Sequence, residues 1–148
     1  MFQLRTEAFI DASPDAVWAV LSDFKAYPLW NPLVLEAHGR LVPGARVAMK
    51  GRAPDGSSKR VFGFKATLTR VEPPTRLEWT GGVRGVFFGR HVFELKAEGT
   101  GTRLVHGEDF SGVVTWFMGR SRWGAFRASY EALNRALAER MKAVLPPA

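Results

Sequence analysis

Between Ile10 and Pro32 a strand's end, a capped helix and an aromatic-proline corner follow one another without a spacer, and this order constrains the fold more than any other stretch. Ser13 is placed to accept from the free amides of a first helical turn, Pro14 has the φ angle that turn needs, and Asp15 faces the positive end of the helix dipole. A helix over 14–24 is predicted. Val17, Val20, Leu21 and Phe24 recur at i, i+3, i+4 and i+7 and give it one apolar face. Tyr27-Pro28-Leu29-Trp30-Asn31-Pro32 then prevents continuation, because each proline disfavours helix at the residue before it. Trp30-Asn31-Pro32 is expected to fix the corner rather than to touch a ligand.

Ahead of this segment, Phe2, Leu4, Thr6, Ala8 and Ile10 alternate with Gln3, Arg5 and Glu7, the pattern of a strand with one wet face. Behind it, strands are predicted at 33–41, 45–52, 59–72, 76–81, 86–97 and 102–111. Their breaks are Pro43-Gly44, Pro54-Asp55-Gly56, Pro73-Pro74, Gly81-Gly82 and Gly99-Thr100-Gly101. From Val113 to Val144 the period becomes helical, with Trp123, Phe126, Tyr130, Leu133, Leu137 and Val144 as one stripe and Pro146-Pro147 as the stop. Gly119 and Gly124 weaken the first part, so a break is expected before about residue 122. Short strands joined by tight turns make an antiparallel sheet, and the long helix can bury its stripe only against that sheet.

The chain of 148 residues is most simply one domain, 1–148. No apolar run approaches the roughly 20 residues of a membrane span, and Arg5 and Glu7 follow Met1 too closely for a signal peptide, so the expected location is the cytoplasm, without stable membrane insertion. With no cysteine there is no disulfide, thiol nucleophile or cysteine-bound metal. A net charge of +7 raises a nucleic-acid partner. The basic residues argue against it, being scattered singly at Arg40, Arg46, Arg52, Arg60, Arg70, Arg76, Arg84, Arg90 and Arg103, where alternation puts most of them on a solvated face. The densest run, Arg120 to Arg127 around Trp123, is suited to an acidic ligand or lipid surface. Phosphate-loop, serine-hydrolase and His-Glu-x-x-His motifs are missing.

The last two strands permit a register argument. If 98–101 is a four-residue hairpin loop, Ala97 faces Thr102, and Leu95/Leu104, Phe93/His106, His91/Glu108 and Gly89/Phe110 follow. The face holding Phe93, Leu95, Leu104 and Phe110 must be the inner one, and it carries His91, His106 and Glu108 inward. Such a cluster can be structural, its members satisfying each other. It can orient the polar end of a ligand. It can also move protons, as the catalytic candidates His91, His106 and Glu108. Opposing strand positions do not give the convergence a metal needs, so neither metal nor cofactor is expected. Asn134, beside the helical stripe, is expected to bond nearby backbone, and Trp116, Phe117 and Met118 are read either as an apolar entrance or as a packed lid.

Four blocks carry a family resemblance: Ile10 to Phe24 with Tyr27 to Pro32; Gly89-Arg90-His91-Val92-Phe93-Glu94-Leu95; Thr102 to Gly112; and Tyr130 to Leu137. In this order they resemble the polyketide cyclase/dehydrase and lipid-transport family of the START-like (SRPBCC) superfamily. The resemblance implies an α+β helix-grip fold: a curved antiparallel sheet of about seven strands around a long C-terminal helix, with two short helices after the first strand and a cavity between sheet and helix. Together with the inward aromatics it makes Phe62, Phe64, Trp79, His91, Phe93, His106, Glu108, Phe110, Trp123, Phe126 and Tyr130 the candidate ligand-binding set, for a hydrophobic or aromatic small molecule. A polyketide-type aromatase/cyclase or dehydratase, and a co-chaperone-like interaction module, are the other readings, and a homodimer is left open.

Overall fold

A computed structural model describes residues 1–53 and 60–145. The elements are β1 (Phe2–Ile10), α1 (Pro14–Leu21), α2 (Tyr27–Trp30), β2 (Val34–His38), β3 (Arg46–Arg52), β4 (Val61–Glu72), β5 (Arg76–Val83), β6 (Phe87–Glu98), β7 (Gly101–Ser111) and α3 (Arg120–Val144), with 3₁₀ turns at Phe24–Ala26 and Val113–Phe117. The strands form one seven-stranded sheet in the order β1-β7-β6-β5-β4-β3-β2, every neighbour antiparallel. The first and second strands therefore lie at opposite edges, and the segment 11–33 spans the width between them. The sheet curves around α3, which packs against β1, β7 and α1. This is the expected helix-grip architecture.

The local chemistry explains the element boundaries. Ser13 Oγ accepts from the Ala16 amide at 3.2 Å, with Pro14 in the first turn. The helix is shorter than predicted, because Ser22 ends it and Phe24 belongs to the following 3₁₀ turn. A second correction concerns Pro28, which does not prevent helix. It sits in the first turn of α2, where no backbone N–H is needed, while Asn31 before Pro32 is extended. Asn31 Oδ1 takes the amides of Leu33 at 3.0 Å and Val34 at 2.8 Å, fixing the corner as expected.

The predicted β6–β7 register is the observed one, including His91 opposite Glu108 and Phe93 opposite His106. Its loop is tighter than assumed: Glu98 already pairs with Gly101, and Gly99, at φ 60°, takes the left-handed conformation a two-residue connection requires. The sheet also runs further than expected at its other end. Gly81 and Gly82 are strand residues paired with Gly89 and Phe88, so the β5–β6 turn falls at 84–86. β2 is shorter than 33–41, and the break at Pro54-Asp55-Gly56, the start of β4 at Lys59 and the stop at Pro146-Pro147 lie outside the described residues.

The helical stripe is buried for most of its length. Phe126, Tyr130, Leu133, Asn134, Leu137 and Met141 are buried, whereas Val144 is 44 % exposed. Seven residues bring a 3.6-residue helix back to within about 20° of Leu137, so Val144 stays in phase with the buried face, and its exposure comes from its place as the last residue of α3. Leu133 and Leu137, fully buried against the sheet, each gain about 1.5–3 kcal/mol from leaving water. The break before α3 falls at Met118-Gly119. On the outer face, Asp109 bonds Gln3, Arg5 and Arg90, and Glu78 bonds Arg76 and Thr69. Several scattered arginines are thus partners of carboxylates on a solvated face.

Candidate functional site

Between the inner face of the sheet and α3 lies a cavity of about 210 Å³. Eight of the residues expected to meet a ligand line it: Phe62, Phe64, Trp79, His91, Glu108, Phe110, Phe126 and Tyr130. Three do not. Phe93 and His106 stand behind the wall, stacked on each other at 4.4 Å, and Trp123 stacks on Phe2 at 3.8 Å. Phe62 points inward as predicted but is 46 % exposed, and with Arg52 and Gly82 it marks the mouth. Arg52 therefore lies at the site rather than on the solvated face to which alternation assigned most of the scattered arginines.

The register places Glu108 beside Gly89 on the neighbouring strand, and a Cβ at position 89 would occupy the space of the Glu108 carboxylate. Only glycine leaves room there. Glu108 Oε1 accepts from the Tyr130 hydroxyl of α3 and meets His91 Nδ1 at 3.0 Å. No described residue bonds Oε2, which rests over Gly89 on a cavity-lining side chain.

Behind this front, hydrogen-bond bookkeeping fixes the protons one after another. The Thr6 hydroxyl donates to the His106 carbonyl at 2.7 Å, and so accepts from Asn134 Nδ2 at 2.8 Å. Asn134 Oδ1 then faces His106 Nδ1 at 2.8 Å and requires a proton on that nitrogen. Burial, reinforced by the neighbouring His91, holds the His106 pKa well below the usual imidazole value. His106 is therefore neutral and its Nε2 is a bare acceptor, to which His91 Nε2–H donates at 2.7 Å. One proton is left for the contact between His91 Nδ1 and Glu108 Oε1. The pair is either imidazolium beside carboxylate or imidazole beside carboxylic acid, and exchanging the two moves a proton by less than the width of one hydrogen bond.

Asn134 thus bonds side chains, not the nearby backbone expected of it, and its effect reaches Glu108 through two imidazoles. The pairing of Thr6 with His106 follows from β1 lying next to β7, which local sequence pattern does not reveal. Tyr130 keeps its proton. Burial, then the adjacent Glu108 charge, pushes its pKa well above the usual phenol value, so it acts as a donor. Among the described residues no group of three His, Asp or Glu is arranged to hold a metal. Trp116 and Phe117 are not a packed lid, being 77 % and 84 % exposed, while Met118 packs against the core.

An antiparallel sheet gripping a C-terminal helix over an aromatic cavity defines a helix-grip protein. The family model described as polyketide cyclase/dehydrase and lipid transport matches residues 1–145, and the chain belongs to that family. No curated protein matches the sequence. Among solved structures, TTHA0849 from Thermus thermophilus superposes with a TM-score of 0.77 at 16 % identity, over 98 % of this chain and 100 % of that one. A START superfamily protein from Mycobacterium smegmatis gives 0.76 at 16 % identity, over 97 % and 99 %. DynU16, a protein in the dynemicin biosynthetic locus, gives 0.72 at 19 % identity, over 97 % of this chain and 48 % of that one. At these identities the likeness shows the fold alone. No described helix is long and apolar enough to cross a membrane.

Proposed function

We propose that this protein binds a small, largely aromatic molecule that carries a hydrogen-bond donor, such as a phenolic hydroxyl, with the donor set against Glu108. The observation that carries this reading is the Oε2 atom of Glu108, an acceptor without a described partner in a cavity otherwise walled by Phe64, Trp79, Phe110 and Phe126. Tyr130 and His91 saturate Oε1 and hold the carboxylate in place. A cavity of about 150 Å³ is enough for benzene, so the roughly 210 Å³ here suits a bicyclic ring system, with the mouth at Phe62 admitting a longer substituent. Stacking and apolar burial supply the affinity, and the donor supplies orientation. A ligand carboxylate would meet Glu108 with like charge.

Calorimetric titration with 2-naphthol, naphthalene and 2-naphthoate tests this. The order of affinity expected is naphthol, then naphthalene, then naphthoate. A hydrogen bond to a charged group contributes about 1.5–3 kcal/mol, so naphthol should bind at least about tenfold tighter than naphthalene. Glu108→Gln should remove most of that preference. Naphthoate binding as tightly as naphthol overturns the reading.

The position of Glu108 Oε2 supports a second reading, acid–base catalysis of a dehydration. Glu108 as carboxylate takes the proton α to a ligand carbonyl and then returns it to the departing β-hydroxyl, which leaves as water. Glu108 ends as carboxylate again, held throughout by His91 and Tyr130 on Oε1. Conversion of a β-hydroxy ketone to its enone, absent in Glu108→Gln, would favour it over simple binding.

A further inference from the structure

One end of the molecule carries an apolar surface that the core does not use. The β5–β6 turn at 84–86 is joined to the 3₁₀ turn Val113–Phe117 by hydrogen bonds from the Val113 amide to the Gly85 carbonyl and from the Val114 amide to the Val86 carbonyl, both 3.1 Å. The two turns therefore form one platform. It exposes Val83, Val86, Val113, Val114, Trp116 and Phe117, the last two almost completely. Scattered exposed apolar residues are ordinary, but six gathered on two bonded turns are not.

Cations surround this platform. Arg84 lies in the first turn with its guanidinium 4.3 Å above the Phe88 ring, and Arg120 and Arg122 are exposed in the first turn of α3, three and five residues from Phe117. No acidic residue occurs from Trp79 to Phe93 or from Phe110 to Tyr130. These arginines have no ion-pair partner among the described residues. Exposed aromatic side chains ringed by arginine match a water–lipid boundary, where the rings enter among the headgroups and the guanidinium groups meet phosphate.

We infer that this end docks peripherally on an anionic lipid surface. A second copy of the chain fits it less well, because a two-fold contact through the same patch would bring Arg84, Arg120 and Arg122 of both copies together. The docking face adjoins the cavity, since Gly82 and Phe87, which bracket the β5–β6 turn, are both lining residues. Docking would bring that wall of the cavity close to the lipid, yet it stands on exposed side chains and charge and holds whether or not the cavity takes a phenol.

The test is co-sedimentation of the full chain with vesicles of equimolar phosphatidylglycerol and phosphatidylcholine, against vesicles of phosphatidylcholine alone. Wild type should sediment with the first, weakly or not at all with the second, and come off at high salt. Each arginine near such a surface strengthens partitioning by about fivefold, so Arg120→Glu combined with Arg122→Glu should weaken it by well over tenfold. Trp116→Ala combined with Phe117→Ala should weaken it as well. Both side chains are exposed, so an unchanged melting temperature will show that the variants fold. No sedimentation with anionic vesicles at low salt, or variants that sediment like wild type, overturns the inference. So does a dimer in light scattering that Trp116→Ala with Phe117→Ala dissolves, since another copy would then cover the patch.

Discussion

At the scale of single residues, the site depends on groups that make one another's protonation states determinate. Thr6 orients Asn134, Asn134 sets the tautomer of His106, and His106 leaves His91 one free nitrogen with which to meet Glu108. The buried member of this chain predicts how stability varies with pH. His106 has a folded-state pKa well below that of the unfolded chain, so it stays neutral in the fold while the unfolded chain takes up a proton. Its contribution is complete above the ordinary imidazole value of about 6.5 and is lost as pH falls from there towards the depressed folded value. The loss is at most about 1.4 kcal/mol per pH unit. Urea unfolding of wild type and His106→Leu from about pH 7 to about pH 5 measures it. The wild-type slope should exceed that of the variant by about this amount, and equal slopes would place a charged histidine inside the fold.

At the scale of elements, position along α3 makes a sharp prediction. Leu137 is fully buried and Val144 is 44 % exposed, although one heptad places them on a common stripe. Leu137→Ala should cost about 2–5 kcal/mol, whereas Val144→Ala should stay within about 0.5 kcal/mol. Denaturant titration of both variants checks the difference. The sequence pattern was adequate where one strong local rule acted alone, as at the Ser13 cap, the Asn31 corner and the β6–β7 register. It failed where two rules competed. Pro28 reads as a helix breaker by type and acts as a first-turn residue by position, and Gly81-Gly82 reads as a turn although the strand continues through it to let β5 and β6 approach.

At the scale of the whole molecule, the architecture was legible because four blocks in family order and the turn signals between the strands agree on one topology. The cavity was less legible, because whether aromatic side chains fill a curved sheet or leave space depends on volumes and rotamers across β3 to β7 and α3. Periodicity could say that Phe93 and Trp123 point inward, but not that His106 and Phe2, respectively, would take up their faces. It also could not show that β1 brings Thr6 to His106, since the two residues lie 100 positions apart. The proposed ligand is an aromatic molecule held in the space left over, with its donor on Glu108. The most direct measurement is a set of intermolecular nuclear Overhauser contacts between 2-naphthol and the isotopically labelled protein. Contacts are expected from the naphthol ring to Phe64, Trp79 and Phe110, with the ring protons beside the hydroxyl nearest Tyr130 and His91. Contacts confined to Trp116 and Phe117 on the outer platform, with none inside the cavity, would contradict that placement.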